Sequence, residues 1–230
     1  MKEIHFASIP STNTYLKEHY ASLEDMTFVS AAYQSQGKGR QDRIWEASKG
    51  ENLLFSILLR RPDLSDQAGF FSLIAATSVA KVLEDYGVKE VAIKWPNDVY
   101  VSGKKIAGIL LEGQLPEYLV IGIGINVNQT VFPSGLRHPA TSLSLALGKQ
   151  IDLDEFKRKI YAVLEESLTN SALTDRFLDY YSTHDYLQGK TVSINDLSGE
   201  YLGVGKDFSL RLKTNAGIRK IVSGEVFMLR

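Results

Sequence analysis

Apolar positions fall into short runs for most of the chain and into two long stretches with helical spacing. Residues 3–6 read as a strand, and residues 12–20 as a helix. Ser11, Thr12 and Asn13 stand at its start, where a short side-chain oxygen can accept an orphan backbone N–H. A β run at 27–32 leads into a polar, glycine-rich stretch at 34–51. Residues 52–60 then form a strongly apolar strand, stopped by Pro62. Ser65 is placed to cap a helix over 66–86 that is apolar around most of its surface (Phe70, Phe71, Leu73, Ile74, Val79, Val82 and Leu83). Such a helix should be substantially buried, and Gly87 is suited to end it.

Four β segments follow closely, at 91–95, 98–101, 105–111 and 118–126, with a tight-turn signal at Ser102-Gly103. Connections this short join antiparallel neighbours, because a parallel crossover needs a dozen or more residues. The expected fold class is therefore α+β, a mixed and largely antiparallel sheet with packed helices. Residues 154–181 carry helical periodicity (Phe156, Ile160, Val163, Leu164, then Phe177, Leu178 and Tyr181) with a break near Asn170. After Gln188-Gly189 the texture changes to short strands at 191–194, 199–204, 208–213 and 218–222. That spacing suggests a small barrel or sandwich, and a domain boundary near Tyr186 separating residues 1–185 from 186–230.

Composition narrows the possibilities. The chain has 230 residues, 44% of them hydrophobic and 23% charged, and a formal net charge of -1, so no global field favours nucleic acid or an anionic membrane. The absence of cysteine excludes disulfides, zinc-thiolate sites and a cysteine nucleophile, and suits a reducing cytoplasm. The first residues do not have the character of a signal peptide, and no apolar run approaches the roughly 20 residues that cross a bilayer. A cytoplasmic protein without membrane or DNA partners is expected.

The segment from Gln34 to Trp45 carries the most chemistry. Glycines in Gly37-Lys38-Gly39-Arg40 let backbone N–H groups approach an anion, Lys38, Arg40 and Arg43 supply cations, and Trp45 offers a flat face to a ring. A solvated basic loop would carry the same residues. In Lys94-Trp95-Pro96-Asn97-Asp98 a proline interrupts a strand, and a lysine at such a break can project into a cleft to meet developing negative charge. The glycines of Gly122-Ile123-Gly124-Ile125-Asn126 permit close approach of a ligand or a neighbouring backbone, and Asn126 ends an apolar strand. The four histidines show no metal-ligand spacing, and neither a P-loop nor a G-x-S-x-G elbow is present.

These segments together resemble the biotin protein ligase family. The resemblance runs in order through Ser11-Thr12-Asn13, Gln34, Gly37-Lys38-Gly39-Arg40, Trp45, Asn52-Leu53, Arg60, Lys94-Trp95-Pro96-Asn97-Asp98, residues 105–112 and residues 122–126; residues 189–230 look like the family's small C-terminal β-barrel. It implies formation of biotinyl-5′-AMP from biotin and ATP, then transfer of biotin to a lysine of a biotin carboxyl carrier protein. By the same resemblance, Ser11, Thr12, Asn13 and Gln34 should bind the biotin head group. Lys38, Gly39 and Arg40 should close over biotin and the adenylate, and Lys94 should stabilise the transition state with Arg40. Trp45 and Asn126 should lie on the ATP side. Magnesium is expected with ATP, from ligands the resemblance does not identify. A lipoate or octanoyl ligase or transferase of the same fold is the alternative, and a non-catalytic biotin sensor a further one.

Two positions depart from the family pattern. Lys38 stands where arginine is usual, keeping the charge but losing the bidentate fork, and Asp42 stands where glycine is usual. Glu225 and Arg230 are out of the family's spacing by one residue, so no role is carried to Arg230. The Ser-Thr-Asn motif begins at residue 11, so the helix-turn-helix of the family's repressor members is not expected here. Exposed sheet edges could pair two copies into a homodimer.

Overall fold

Apolar strands pair at the centre of a seven-stranded sheet, in a computed structural model that describes residues 2–41, 43–60, 68–170 and 174–229. The strands are β1 (Lys2–Phe6), β2 (Thr27–Ala31), β3 (Asn52–Leu59), β4 (Val91–Lys94), β5 (Asp98–Val101), β6 (Lys104–Gln114) and β7 (Tyr118–Asn126). Their order is β1-β2-β3-β7-β6-β5-β4. Every neighbouring pair is antiparallel except β1 and β2, which run parallel. The sheet is therefore mixed and largely antiparallel, as the short connections require.

Every residue of β3 is buried, which explains a strand with no polar face. Alternate residues serve opposite faces of the sheet. Phe28, Ile57, Leu59, Leu119 and Ile121 join the large core, whereas Val29, Leu58, Tyr118 and Val120 pack with Leu16 of α1 (Thr12–His19). The large core lies beneath α2 (Ala68–Asp85) and α4 (Leu153–Thr169). Asp152 caps α4, accepting from the N–H groups of Asp154 and Glu155 at 3.0 and 2.9 Å. Gly87 ends α2 with φ +91°, a conformation that costs glycine little. The expected cap Ser65 and stop Pro62 lie outside the described residues, as do Asp42 and Arg230.

Two elements escaped the sequence pattern. Helix α3 (Leu143–Leu147) is capped by Ser142 and closed by Gly148 at φ +68°, and is too short to display a helical period. The expected break near Asn170 separates α4 from α5 (Thr174–Thr183). Beyond it lies a five-stranded antiparallel sheet of β8 (Thr191–Ile194), β9 (Leu197–Val204), β10 (Leu210–Thr214), β11 (Gly217–Ile221) and β12 (Phe227–Met228), in the order β11-β10-β9-β8-β12. The two-residue β12 has no pattern to read in sequence.

The two sheets share one apolar core. Val192, Ile194, Tyr201, Leu210 and Leu212 of the small sheet belong to the same cluster as α2 and the large sheet. Phe70 stacks on Phe208 with centroids 4.3 Å apart, and Trp95 Nε1 donates to the Phe208 carbonyl at 3.2 Å. The turn carrying Lys94 is thus anchored from behind by the C-terminal sheet. Among the described residues no helix is long and apolar enough to cross a membrane.

Phe156 of α4 is fully buried and meets Tyr86 edge-on at 5.3 Å. Phe156→Ala is expected to destabilise the fold by about 3–5 kcal/mol. Urea unfolding monitored by tryptophan fluorescence would show a lowered midpoint with little change of slope.

Candidate active site

The cavity opens where α1, the glycine loop, the turn after β4 and the glycines of β6 and β7 converge. Ser11, Thr12, Asn13, Gln34, Lys38, Gly39, Arg40, Trp45 and Lys94, all singled out from the sequence, line it together. Asn126 does not line it. Its buried amide ends β7 by donating to the Thr141 carbonyl at 3.0 Å, so it supports the wall.

One wall is polar because a helix begins there. Ser11 Oγ accepts from the Thr14 N–H as the N-cap of α1, and Thr12 N–H donates to Gln34 Oε1 at 2.7 Å. Thr12, Ser56 and Asn13 are then linked side chain to side chain, ending on Glu112, which also pairs with Lys17. A Cβ on Gly122 would lie 2.2 Å from Asn13 Oδ1, so glycine is what lets α1 sit this close to β7. Two residues on, a Cβ on Gly124 would lie 2.6 Å from Trp45 Cε2, because the indole rests on β7.

The glycine loop folds back on itself. Gly39 N–H donates to the Arg43 carbonyl at 2.7 Å and Trp45 N–H to the Gly37 carbonyl at 2.9 Å. Three contacts hold its tip across the cavity mouth. Arg40 donates to Asn97 Oδ1 at 3.2 Å and to the Gly224 carbonyl at 3.0 Å, and Arg43 pairs with Glu225 at 2.9 Å. Arg137 reaches the same Glu225 oxygen at 2.6 Å. Lys38, by contrast, is exposed. Asn97 was read only as part of the Lys94-Trp95-Pro96-Asn97-Asp98 motif and Glu225 only for its spacing to Arg230; their contacts with the loop form only in three dimensions.

Lys94 is 6% exposed at the end of β4. Burial pulls its ammonium below the ordinary lysine range, Asp98 and Glu225 oppose that, and Lys105 and Arg137 add to it. Among the described residues no carboxylate lies within ion-pair distance of Lys94, since Asp98 is taken by Lys105 at 2.7 Å and Glu225 by the two arginines. The lining holds the cations Lys38, Arg40, Arg43, Lys94 and Lys105 against the carboxylates Asp98 and Glu225. A chain of net charge -1 thus concentrates positive charge in one cleft, where it can draw two anions together and stabilise charge forming between them.

Residues 5–126 match the model of the biotin/lipoate A/B protein ligase family. A biotin protein ligase from Aquifex aeolicus, solved in complex with biotin and ATP, superposes with a TM-score of 0.86 at 30% identity, covering 100% of this chain and 99% of that one. The bifunctional ligase/repressor BirA of Bacillus subtilis (strain 168) is 35% identical over 223 residues, which cover 87% of this chain and 65% of the relative. The biotin–[acetyl-CoA-carboxylase] ligase of Mycobacterium tuberculosis is 38% identical over 143 residues, 60% of this chain and 53% of that protein. The chain belongs to the biotin/lipoate A/B protein ligase family.

Proposed function

We propose that the chain is an ATP-dependent biotin protein ligase. It joins biotin to ATP as biotinyl-5′-AMP and passes the biotinyl group to a lysine of a biotin carboxyl carrier protein, such as that of acetyl-CoA carboxylase. The observation that carries this reading is the joining, in one cavity, of the helix-start polar groups and the excess of cations around buried Lys94.

In the first step a biotin carboxylate oxygen attacks the α-phosphorus and the bond to pyrophosphate breaks. Two anions must meet, so the work is positioning and electrostatics. Ser11, Thr12, Asn13 and Gln34 seat the head group, leaving the carboxylate toward Lys94. Lys94 and Arg40 stabilise the charge that develops at phosphorus, and Lys38 and Gly39 complete the loop. Trp45 lies on the ATP side, and Asn126 supports that wall through Thr141. Magnesium would arrive on the phosphates of ATP. Among the described residues no three His, Asp or Glu side chains cluster as a cage, and magnesium commonly combines one or two carboxylates with nucleotide oxygens. In the second step the carrier lysine attacks the mixed anhydride and AMP leaves, so the chain needs no covalent nucleophile. Residues 1–185 would form the catalytic domain and residues 186–230 a small unit that anchors the loop.

Purified chain with biotin, ATP and magnesium is expected to release pyrophosphate and to label a carrier domain with biotin. A folded chain that labels no carrier, or that lipoate stabilises to heat and biotin does not, would reverse the reading.

Arg40→Gly removes two of the three contacts that hold the loop tip, those to Asn97 and Gly224. The biotinyl-5′-AMP off-rate is expected to rise by about tenfold or more, as loss of charged hydrogen bonds worth roughly 1.5–3 kcal/mol each would produce. Adenylate formation should fall by less. Stopped-flow release of the adenylate checks this, and an unchanged off-rate would contradict the role.

A further inference from the structure

The polar chain in the cavity wall can in principle run in either of two directions, and a charged residue outside the cavity decides between them. Thr12, Asn13 and Ser56 are 2%, 5% and 0% exposed, so their hydrogen bonds must be met within the protein or by a ligand. Ser56 Oγ donates its single hydrogen to Asn13 Oδ1 at 2.5 Å. Thr12 Oγ1 lies 2.6 Å from Ser56 Oγ, a separation that needs a hydrogen between the oxygens. With the Ser56 hydrogen committed to Asn13, that hydrogen belongs to Thr12. Asn13 Nδ2 donates in turn to Glu112 Oε2 at 2.8 Å, and Lys17 pairs with the other Glu112 oxygen.

The opposite direction needs the Asn13 amide turned over. Nδ2 would then donate to Ser56 and Ser56 to Thr12, and the Thr12 hydroxyl would keep its hydrogen for Gln34 Oε1 at 3.0 Å, the longest contact of the chain and one to an oxygen that already accepts from the Thr12 N–H at 2.7 Å. That arrangement sets Asn13 Oδ1 against Glu112, and an ionised carboxylate only accepts. Against the upward push of burial, hydrogen bonds from Lys17 and Asn13 hold the Glu112 carboxyl below the usual carboxylate range, so it stays ionised.

We infer that Glu112, held by Lys17, is a positioning residue that sets the direction of this hydrogen-bond chain, so that Thr12 meets the cavity as an acceptor only and selects a head group bearing N–H donors. The inference rests on the biotin reading for the occupant, whose ureido N–H groups are such donors. Specificity for a urea is thus controlled through three side chains, from a residue that does not line the cavity.

The test compares biotin with its cyclic carbonate analogue, in which ring oxygens replace both ureido N–H groups, by calorimetric titration of the intact chain. The wild type should prefer the urea. Glu112→Gln presents an amide that can meet Asn13 in either orientation, and is expected to lower that preference about tenfold, the scale of one hydrogen bond. A preference unchanged in folded Glu112→Gln, or an equal weakening of both ligands, overturns the inference. Should Glu112→Gln not fold, Asn13→Leu cuts the chain one link nearer Thr12. The same ratio is then read, with compression supporting the inference and constancy overturning it. Wild-type protein that binds neither ligand removes the biotin reading itself, a result distinct from a constant ratio.

Discussion

Lys94 is almost wholly out of water, with Lys105 and Arg137 among its neighbours as well as Asp98 and Glu225. Those carboxylates oppose what burial and the nearby cations take from its charge. Much of the site follows from this balance. Asp98 stands at the start of β5 because the Trp95-Pro96-Asn97 turn breaks the strand there, and Lys105 holds it from β6. Glu225 serves both the electrostatic balance and the glycine loop, since it also binds Arg43 and Arg137. Removing Glu225 would therefore loosen the loop and strip Lys94 of a supporting charge together.

The platform beneath this charge is rigid for a different reason. Strands β3 and β7 are covered on both faces, so the sheet cannot shift register without exposing one of two cores. On this base, Gly122 admits Asn13 and Gly124 admits the Trp45 indole. The two glycines define adjoining seats along one strand, the first beneath the polar wall and the second beneath the ring.

Much of the fold and of the cavity lining was legible in the sequence, because both are written in local pattern. Apolar runs marked the strands of the large sheet, and short connections marked their antiparallel pairing. The Gly-Lys-Gly-Arg loop and the lysine at a broken strand carry their chemistry in consecutive residues. What escaped detection is non-local. Glu225 reaches Arg43, and Glu112 reaches Asn13, only once the chain has folded. Ser56 had a signal, as the single hydroxyl within the apolar run of β3, and Glu112 had one as the carboxylate that follows Ile-Leu-Leu. Asn126 shows the converse, because a polar tip on an apolar strand can meet the backbone of a neighbouring loop instead of the cavity.

The central claim is that the Lys94 charge, maintained by its carboxylate neighbours, drives adenylate formation. The most direct test is the pH dependence of kcat/KM for ATP in biotin-dependent pyrophosphate release, which reports groups of the free enzyme. Because burial lowers the Lys94 pKa, activity should fall on the alkaline side below the ordinary lysine range. Asp98 raises that pKa, so Asp98→Asn should move the alkaline limb to still lower pH, while Lys94→Met should abolish the reaction in a folded chain. An alkaline limb that stays in place in Asp98→Asn, or near-normal rates in Lys94→Met, would contradict the account.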